Sequence, residues 1–208
     1  MEEYLTVKGK GLGEYEEKRS RFIGSCIPVT TEQEAIDHIN RIKKENFGAR
    51  HNVYAYILRD NGLTRYSDDG EPHSTAGMPT LDVLRKSGLT DVCVVVTRYF
   101  GGVLLGTGGL VRAYTAAAKA AVENAGIVKM QYSNICKAEC QYFEAEKLSR
   151  VITQKGGNIS DTVYTDKVEV CFAISEQEFE VLCAEVTEVF CGRITVEKVD
   201  SDYSAVEI

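Results

Sequence analysis

Apolar residues in the first fifty positions follow the periods of a strand and then of a helix. The stretch 21–29 is typical of a strand, and Thr31-Glu32-Gln33-Glu34 has the pattern of a helix capping box. A helix with one buried stripe is predicted over 32–46, because apolar residues recur there at helical spacing, at Ala35, Ile36, Ile39 and Ile42.

The next seventy residues alternate again between strands and helices. β-Branched and aromatic residues over 52–59 predict a strand, and Asp60-Asn61-Gly62 predicts a hairpin turn after it. A short helix is expected around Pro79, which suits a first turn, and Gly88 ends it. The continuous apolar run 91–99 is typical of a central strand.

A glycine-rich segment at 101–109 leads into a helix predicted over 110–125, which Gly126 ends. The part of the chain up to residue 133 therefore reads as an α+β domain. The last third predicts six elements in the order βαββαβ, which is the ferredoxin-like arrangement: strand 135–142, helix 143–154, strand 158–164, strand 167–174, helix 176–190 and strand 193–199.

Composition and charge agree with two domains, 1–133 and 134–208. A chain of 208 residues with 44% apolar residues is long enough to bury a sizeable core. The net charge is −7, and residues 134–208 account for it with 15 acidic and 7 basic residues. Residues 1–133 hold 17 basic and 16 acidic residues, so contact with nucleic acid is expected only locally and in this part.

Neither a membrane span nor a secretion signal is indicated by the sequence, so a cytoplasmic protein is expected. The cysteines support a reducing compartment, because they are odd in number and lack the paired spacing of a zinc site; they are Cys26, Cys93, Cys136, Cys140, Cys171, Cys183 and Cys191.

The first segment with candidate chemistry is the acidic stretch 68–77. Its acidic side chains and His73 could bind a divalent cation, act in acid–base catalysis or form a partner surface. The stretch lacks the EF-hand pattern, and Asp68 and Asp69 point to opposite sides of an extended chain. The structural alternative is a polar loop whose aspartates bond backbone N–H groups and cap the following helix.

The second segment is the glycine-rich stretch before the predicted helix at 110. A helix N-terminus binds anions, and Arg112 in its first turn could contact a phosphate. Thr107 stands where a P-loop requires lysine, so nucleotide hydrolysis is not expected. Alternatively, the glycines permit tight packing of strand against helix, with Arg98 and Arg112 paired to acidic groups of the 68–77 stretch.

Aromatic residues beside arginines form a third candidate, because such side chains can stack single-stranded bases. Tyr99 and Tyr114 accompany Arg98 and Arg112 in this way. The same aromatic side chains could instead pack under the helices. A histidine such as His51, at the start of a predicted strand, is more often a hydrogen-bonded structural residue than a ligand-binding one.

Several motifs together resemble the Impact family, whose bacterial members are of the YigZ type. They are KRSRFI at 18–23, ARHN at 49–52, Ala55-Tyr56, DDGEP at 68–72, TAGMP at 75–79, RYFGG at 98–102 and LGTGGLVRAY at 105–114. The resemblance implies an N-terminal domain similar to the second domain of a small-subunit ribosomal protein, a fold also found in elongation factor G and in small-molecule kinases. It also implies a ferredoxin-like C-terminal domain, and the eukaryotic relative regulates translation.

This chain departs from the family pattern at two places. The family usually has Ser-Gly where His73 and Ser74 stand, and often has Lys where Leu104 stands.

We therefore expect an α+β protein with a ribosomal-protein-like N-terminal domain and a ferredoxin-like C-terminal domain. The expected function is a non-enzymatic cytoplasmic factor that binds RNA or a ribosome-associated protein, with no cofactor, metal, membrane or DNA partner. The alternative is a phosphate-ligand-binding protein or an enzyme that uses the same cleft. The candidate site comprises Arg50, His51, Asp68, Asp69, Glu71, Thr75, Arg98, Tyr99, Gly101, Gly102, Gly106, Gly108, Gly109, Arg112 and Tyr114.

Overall fold

The computed structural model describes residues 2–207, which divide into two compact units. Residues 4–129 form the N-terminal unit. Residues 130–206 form the C-terminal unit together with Glu2 and Glu3. The division lies four residues before the boundary expected from the sequence.

The N-terminal unit is built on a five-stranded antiparallel sheet. Its strands are β2 (Gly11–Glu17), β3 (Ser20–Pro28), β4 (His51–Ile57), β5 (Thr64–Ser67) and β6 (Val92–Tyr99), in the spatial order β2-β3-β6-β4-β5. A short first strand, β1 (Tyr4–Val7), precedes them, and three helices complete the unit: α1 (Glu32–Glu45), α2 (Gly77–Lys86) and α3 (Gly106–Ala125).

Both faces of this sheet are covered, which explains the continuous apolar run in its central strand. Val92, Val94 and Val96 of β6 belong to a core cluster with residues of α2 and α3. Cys93 and Val95 point to the other face and pack with residues of α1. Alternate residues of a strand face opposite sides of the sheet, so a strand covered on both sides is apolar at successive positions, as β6 is from Val92 to Val96.

Most local predictions for this unit are confirmed. The capping box of α1 is present, with Glu34 N donating to Thr31 Oγ1 at 3.2 Å and Thr31 N donating to Glu34 Oε2 at 3.2 Å. The Asp60-Asn61-Gly62 turn joins β4 to β5 as a hairpin.

The start of α3 differs from the prediction. The helix begins at Gly106 rather than residue 110, so its first turn contains the glycines assigned to a loop. Glycine has a low intrinsic helix propensity, but burial of Leu110 and Tyr114 against the sheet overrides it. Arg112 consequently lies in the second turn of the helix, and the prediction that placed it in the first turn is wrong.

Helix α3 packs directly on the backbone of β2 and β3. A Cβ built on Gly24 would lie 2.5 Å from Ala117 O, and one on Gly13 would lie 2.4 Å from Ala121 N. A Cβ on Gly11 would meet Ala121 O at 2.1 Å. Three strand glycines therefore face an alanine-rich stripe of the helix, and this close approach fixes the position of α3.

The C-terminal unit has the predicted ferredoxin-like fold. Its elements are β7 (Ile127–Cys140), α4 (Ala145–Gln154), β8 (Asn158–Tyr164), β9 (Val168–Ser175), α5 (Glu176–Val189) and β10 (Val196–Glu207). The strand order β10-β7-β9-β8 places the first and third strands of the unit at the centre of the sheet. Strand β7 begins eight residues earlier than predicted.

Across the described part of the chain, no helix combines the length and apolarity needed to span a membrane. All seven cysteines are free thiols, and four of them are buried: Cys26, Cys93, Cys136 and Cys140.

The contact between Gly24 and α3 predicts a stability defect for a single added methyl group. Gly24→Ala should lower the free energy of unfolding by about 3 kcal/mol, because overpacking against backbone forces the helix to move. Urea denaturation measures the loss. Gly9→Ala is the matched control, since nothing lies within 4 Å of its added Cβ, and its effect should stay within about 0.5 kcal/mol. Equal effects of the two substitutions would contradict the packing described here.

Candidate functional site

A pocket of about 430 Å³ lies at the end of the N-terminal sheet where β4 begins and β6 ends. The acidic loop 68–76 and the glycine segment 100–109 both contribute to it. Its lining residues are Arg50, His51, Glu71, Pro72, Arg98, Phe100, Leu104, Leu105, Gly106, Thr107 and Leu110. The two motif-bearing segments thus meet in space, as a shared cleft requires.

A buried ion pair beneath the pocket joins the acidic loop to β6, the strand that precedes the glycine segment. Arg98 Nη1 donates to Glu71 Oε1 at 2.7 Å, and both side chains are more than nine-tenths buried. Tyr114 Oη donates to the same carboxylate oxygen at 2.8 Å. One carboxylate of the acidic loop is therefore bound to the end of β6 and to the third turn of α3.

Aromatic rings fix the position of the guanidinium. The Arg98 Cζ atom lies 5.4 Å from the ring centroid of Phe22 and 5.5 Å from that of Phe100, which are cation–π distances. The Phe22 ring meets the Tyr114 ring edge-on at 5.1 Å. Burial and the neighbouring Glu71 carboxylate raise the pKa of Tyr114, so its hydroxyl stays protonated and continues to donate.

The two aspartates of the acidic loop are structural groups outside the pocket lining. Asp68 accepts from the backbone N–H groups of Ser74, Ala76 and Gly77 at 2.8–3.0 Å and so caps the start of α2. Of the alternatives for this loop, the geometry therefore gives Asp68 the capping role.

Asp69 is also occupied by neighbouring groups. It accepts from Asn52 N at 2.7 Å and from Lys43 Nζ at 3.0 Å. Its carbonyl oxygen lies 2.9 Å from His51 Nδ1, which orients the imidazole at the pocket wall. Among residues 2–207, no three His, Cys, Asp or Glu side chains are grouped so that they could hold a metal ion.

The remaining candidate residues lie around the pocket rather than in its lining. Thr75 donates to Pro72 O at 2.7 Å, and Tyr99 Oη donates to Asn46 Oδ1 at 2.9 Å. Arg112 is exposed, and its guanidinium lies beside Gly108. Gly102 and Gly109 are likewise absent from the lining.

Gly101 makes a contact that is predicted neither from the acidic stretch 68–77 nor from the glycine-rich stretch 101–109. A Cβ at this position would lie 2.0 Å from the carbonyl carbon of Arg19, so the glycine segment packs against the β2–β3 turn. Lys18 and Arg19 form that two-residue turn with φ of +46° and +67°. Left-handed backbone costs a residue with a side chain about 1 kcal/mol, yet cations occupy both positions.

The sequence reasoning missed the apolar side of the pocket. Pro72, Phe100, Leu104, Leu105 and Leu110 line it, and 83% of the Leu104 surface and 53% of the Phe100 surface are exposed to solvent. The sequence does contain a signal for this apolar side, because the apolar residues 103–105 lie between glycines in a connecting segment, where a simple turn would not require them.

Comparison with known proteins agrees with this organisation. The family model described as the Impact N-terminal domain matches residues 18–122, which include every lining residue of the pocket. The chain belongs to the IMPACT family. A second model, described as a domain of unknown function (DUF1949), matches residues 139–193.

Relatives in this family cover nearly the whole chain. IMPACT family member YvyE of Bacillus subtilis is 35% identical over 98% of this chain and 94% of its own length. IMPACT family member YigZ of Escherichia coli is 29% identical over 85% of this chain and 88% of its own. A solved structure titled as that of a hypothetical protein is 28% identical, with a TM-score of 0.61 over 96% of this chain and 98% of that one.

Ser74 has a left-handed backbone conformation, with a φ of +59°. Ser74→Gly should raise the free energy of unfolding by about 0.5 kcal/mol, because glycine adopts this conformation without steric cost. Chemical denaturation measures this increase in the free energy of unfolding. Ser87→Gly, at a residue with φ of −83°, is the control and should not stabilise the protein. A loss of stability in Ser74→Gly would contradict the backbone strain that the positive φ of Ser74 implies.

Loss of the Glu71 charge should be the most damaging polar substitution in this unit. Glu71→Gln leaves the buried Arg98 guanidinium without a counter-charge, so the free energy of unfolding should fall by about 3–5 kcal/mol. Glu123→Gln, in the exposed pair with Lys119, should cost less than about 1 kcal/mol. Urea denaturation at neutral pH compares the two variants, and similar losses would contradict the proposed weight of the buried pair.

Proposed function

We propose that this protein is a non-enzymatic cytoplasmic factor of the translation machinery that binds single-stranded RNA at the N-terminal pocket. The observation that carries the proposal is the exposed Phe100 ring at the mouth of the pocket, flanked by Arg50 and by the cationic β2–β3 turn. An aromatic ring stacks an unpaired base, and nearby cations contact the phosphates.

Charge distribution supports this use of the N-terminal unit. Residues 1–133 are almost neutral overall, whereas residues 134–208 carry a net charge of −8. The sheet register brings Lys18, Arg19 and Arg50 to the same end of the sheet as Phe100. A locally cationic end on an otherwise acidic protein favours a few phosphate contacts rather than a long electrostatic groove.

The pocket chemistry favours binding over catalysis. Glu71, the carboxylate in the lining, already accepts from Arg98 and Tyr114, so its hydrogen bonds are used within the fold and it is poorly placed to act as a general base. The apolar rim around this ion pair suits a flat heterocycle whose faces are apolar and whose edges are polar.

Family membership supports the connection to translation. The chain belongs to the IMPACT family along nearly its whole length. The family resemblance implies a ribosomal-protein-like N-terminal domain and a eukaryotic relative that regulates translation. The free cysteines suit a reducing compartment such as the cytoplasm.

Removal of the Phe100 ring should weaken RNA binding. Phe100→Ala should lower affinity for a fluorescein-labelled single-stranded RNA about tenfold in an anisotropy titration, because stacking of one base contributes about 1–3 kcal/mol. Leu12→Ala is the matched control, since Leu12 has the same exposed fraction, 53%, on β2, and its affinity should not change. Unchanged affinity in Phe100→Ala would contradict the stacking role.

Restoring the lysine common in the family should strengthen RNA binding. Leu104→Lys adds an ammonium to the exposed lip of the pocket, so affinity should rise and the slope of log K against log salt should steepen by about one. Arg85→Lys on α2 preserves charge and should change neither quantity. Failure of every single-stranded RNA to bind at low salt, or binding of a free mononucleotide alone with weak salt dependence, would overturn the proposal.

A further inference from the structure

The C-terminal unit carries an exposed aromatic surface formed by Tyr142, Phe143, Val163 and Tyr164. The exposed fractions are 82% for Phe143, 64% for Tyr164 and 54% for Tyr142. Large aromatic side chains are usually at least partly buried, so three exposed rings together indicate an interaction surface.

Strand register explains why these residues, which are distant in sequence, lie together. Cys140 at the end of β7 and Tyr164 at the end of β8 both pair with Val168 at the start of β9. The segments after β7 and β8 therefore emerge at the same end of the sheet. The rings of Tyr142 and Tyr164 lie 6.1 Å apart, and Tyr142 Oη donates to the carbonyl of Thr165.

This surface adjoins a hollow with an excess of negative charge. The hollow has a volume of about 210 Å³ and is lined by Glu139, Val163, Thr165, Asp166, Lys167 and Glu169. Its lining has three carboxylates and one ammonium. Two of the carboxylates already have a cationic partner, with Lys167 at 3.3 Å from Glu139 and Lys137 at 3.6 Å from Glu169. A second hollow of about 210 Å³ shares Glu139 and Lys167 and includes Phe143.

The charge of the unit selects among possible partners. A net charge of −8 over residues 134–208 repels phosphate, so the aromatic surface is poorly suited to RNA. The same charge attracts arginine and lysine, whose cationic groups also stack on aromatic faces. Arginine and lysine side chains are therefore complementary both to the exposed rings and to the carboxylate-lined hollow.

We propose that the aromatic surface of the C-terminal unit binds an arginine- or lysine-rich segment of a protein. One cationic side chain of that segment lies over the Phe143 and Tyr164 rings, and a second enters the hollow between Asp166 and Glu169. This site is independent of the RNA pocket proposed for the N-terminal unit.

The test measures binding of the full chain to a fluorescein-labelled peptide of fifteen residues with alternating arginine and leucine, at physiological salt. A second peptide has citrulline at each arginine, which removes the charge and keeps the shape. The arginine peptide should bind at least about tenfold more tightly. Equal affinity for the two peptides would overturn the proposal.

Paired variants separate this surface from general attraction to an acidic protein. Phe143→Ser combined with Tyr164→Ser should weaken the arginine peptide about tenfold, since both side chains are mostly exposed and can change without loss of fold. Val181→Ser, at an exposed apolar position on α5, should leave affinity unchanged.

Carboxylate variants test the hollow in the same way. Asp166→Asn with Glu169→Gln should weaken the peptide more than Glu180→Gln with Glu188→Gln, which removes equal charge from α5. Equal losses in the two pairs would overturn the assignment of the hollow. If the Phe143→Ser and Tyr164→Ser double variant lost affinity for RNA and kept its affinity for the peptide, the choice of partner would be overturned. An unchanged RNA affinity of Phe100→Ala would contradict only the function proposed for the N-terminal pocket.

Discussion

The buried ion pair between Arg98 and Glu71 is the interaction on which the N-terminal pocket depends. Withdrawal of an ion pair from water costs free energy, which fixed geometry and additional hydrogen bonds offset. The offset is incomplete here, because the buried Arg98 Nε has no hydrogen-bond partner. Tyr114 supplies a further bond to the carboxylate, and the rings of Phe22 and Phe100 hold the guanidinium. The strand, the acidic loop and helix α3 are thereby joined at one point, and the pocket forms above it.

Two sets of glycines serve this arrangement in different ways. Those on β2 and β3, such as Gly24, let α3 lie directly on the sheet, which sets where Tyr114 in the third turn of the helix is placed. Gly101 lets the segment after β6 pass against the Arg19 backbone, which brings Phe100 beside the cationic turn. Within the glycine-rich motif, close backbone packing therefore explains Gly101, whereas a Cβ on Gly102 or Gly106 would meet nothing within 4 Å.

The elements of the fold follow closely from local pattern, because each of them carries its own signal. The capping box before α1, the apolar run of β6 and the βαββαβ order of the last third needed no tertiary information. The start of α3 could not be predicted, since the glycines of its first turn are poor helix formers, and the burial of Leu110 and Tyr114 that stabilises the helix depends on tertiary packing. The sequence also predicts Arg112 as a site residue and does not predict Leu104, whereas the pocket lining includes Leu104 and not Arg112. The difference arises because exposure of a side chain depends on tertiary packing, which sequence spacing does not encode.

Hydrogen–deuterium exchange of Glu71→Gln tests most directly whether one ion pair holds both segments of the pocket. The account predicts faster amide exchange in residues 68–77 and 100–109 together, because Glu71 of the acidic loop is bound to Arg98 and Tyr114, which flank the glycine segment on its two sides. A Gly24→Ala variant controls for the general loss of stability and should not single out these segments. Faster exchange confined to the acidic loop, with 100–109 as protected as in the unsubstituted protein, would contradict the account.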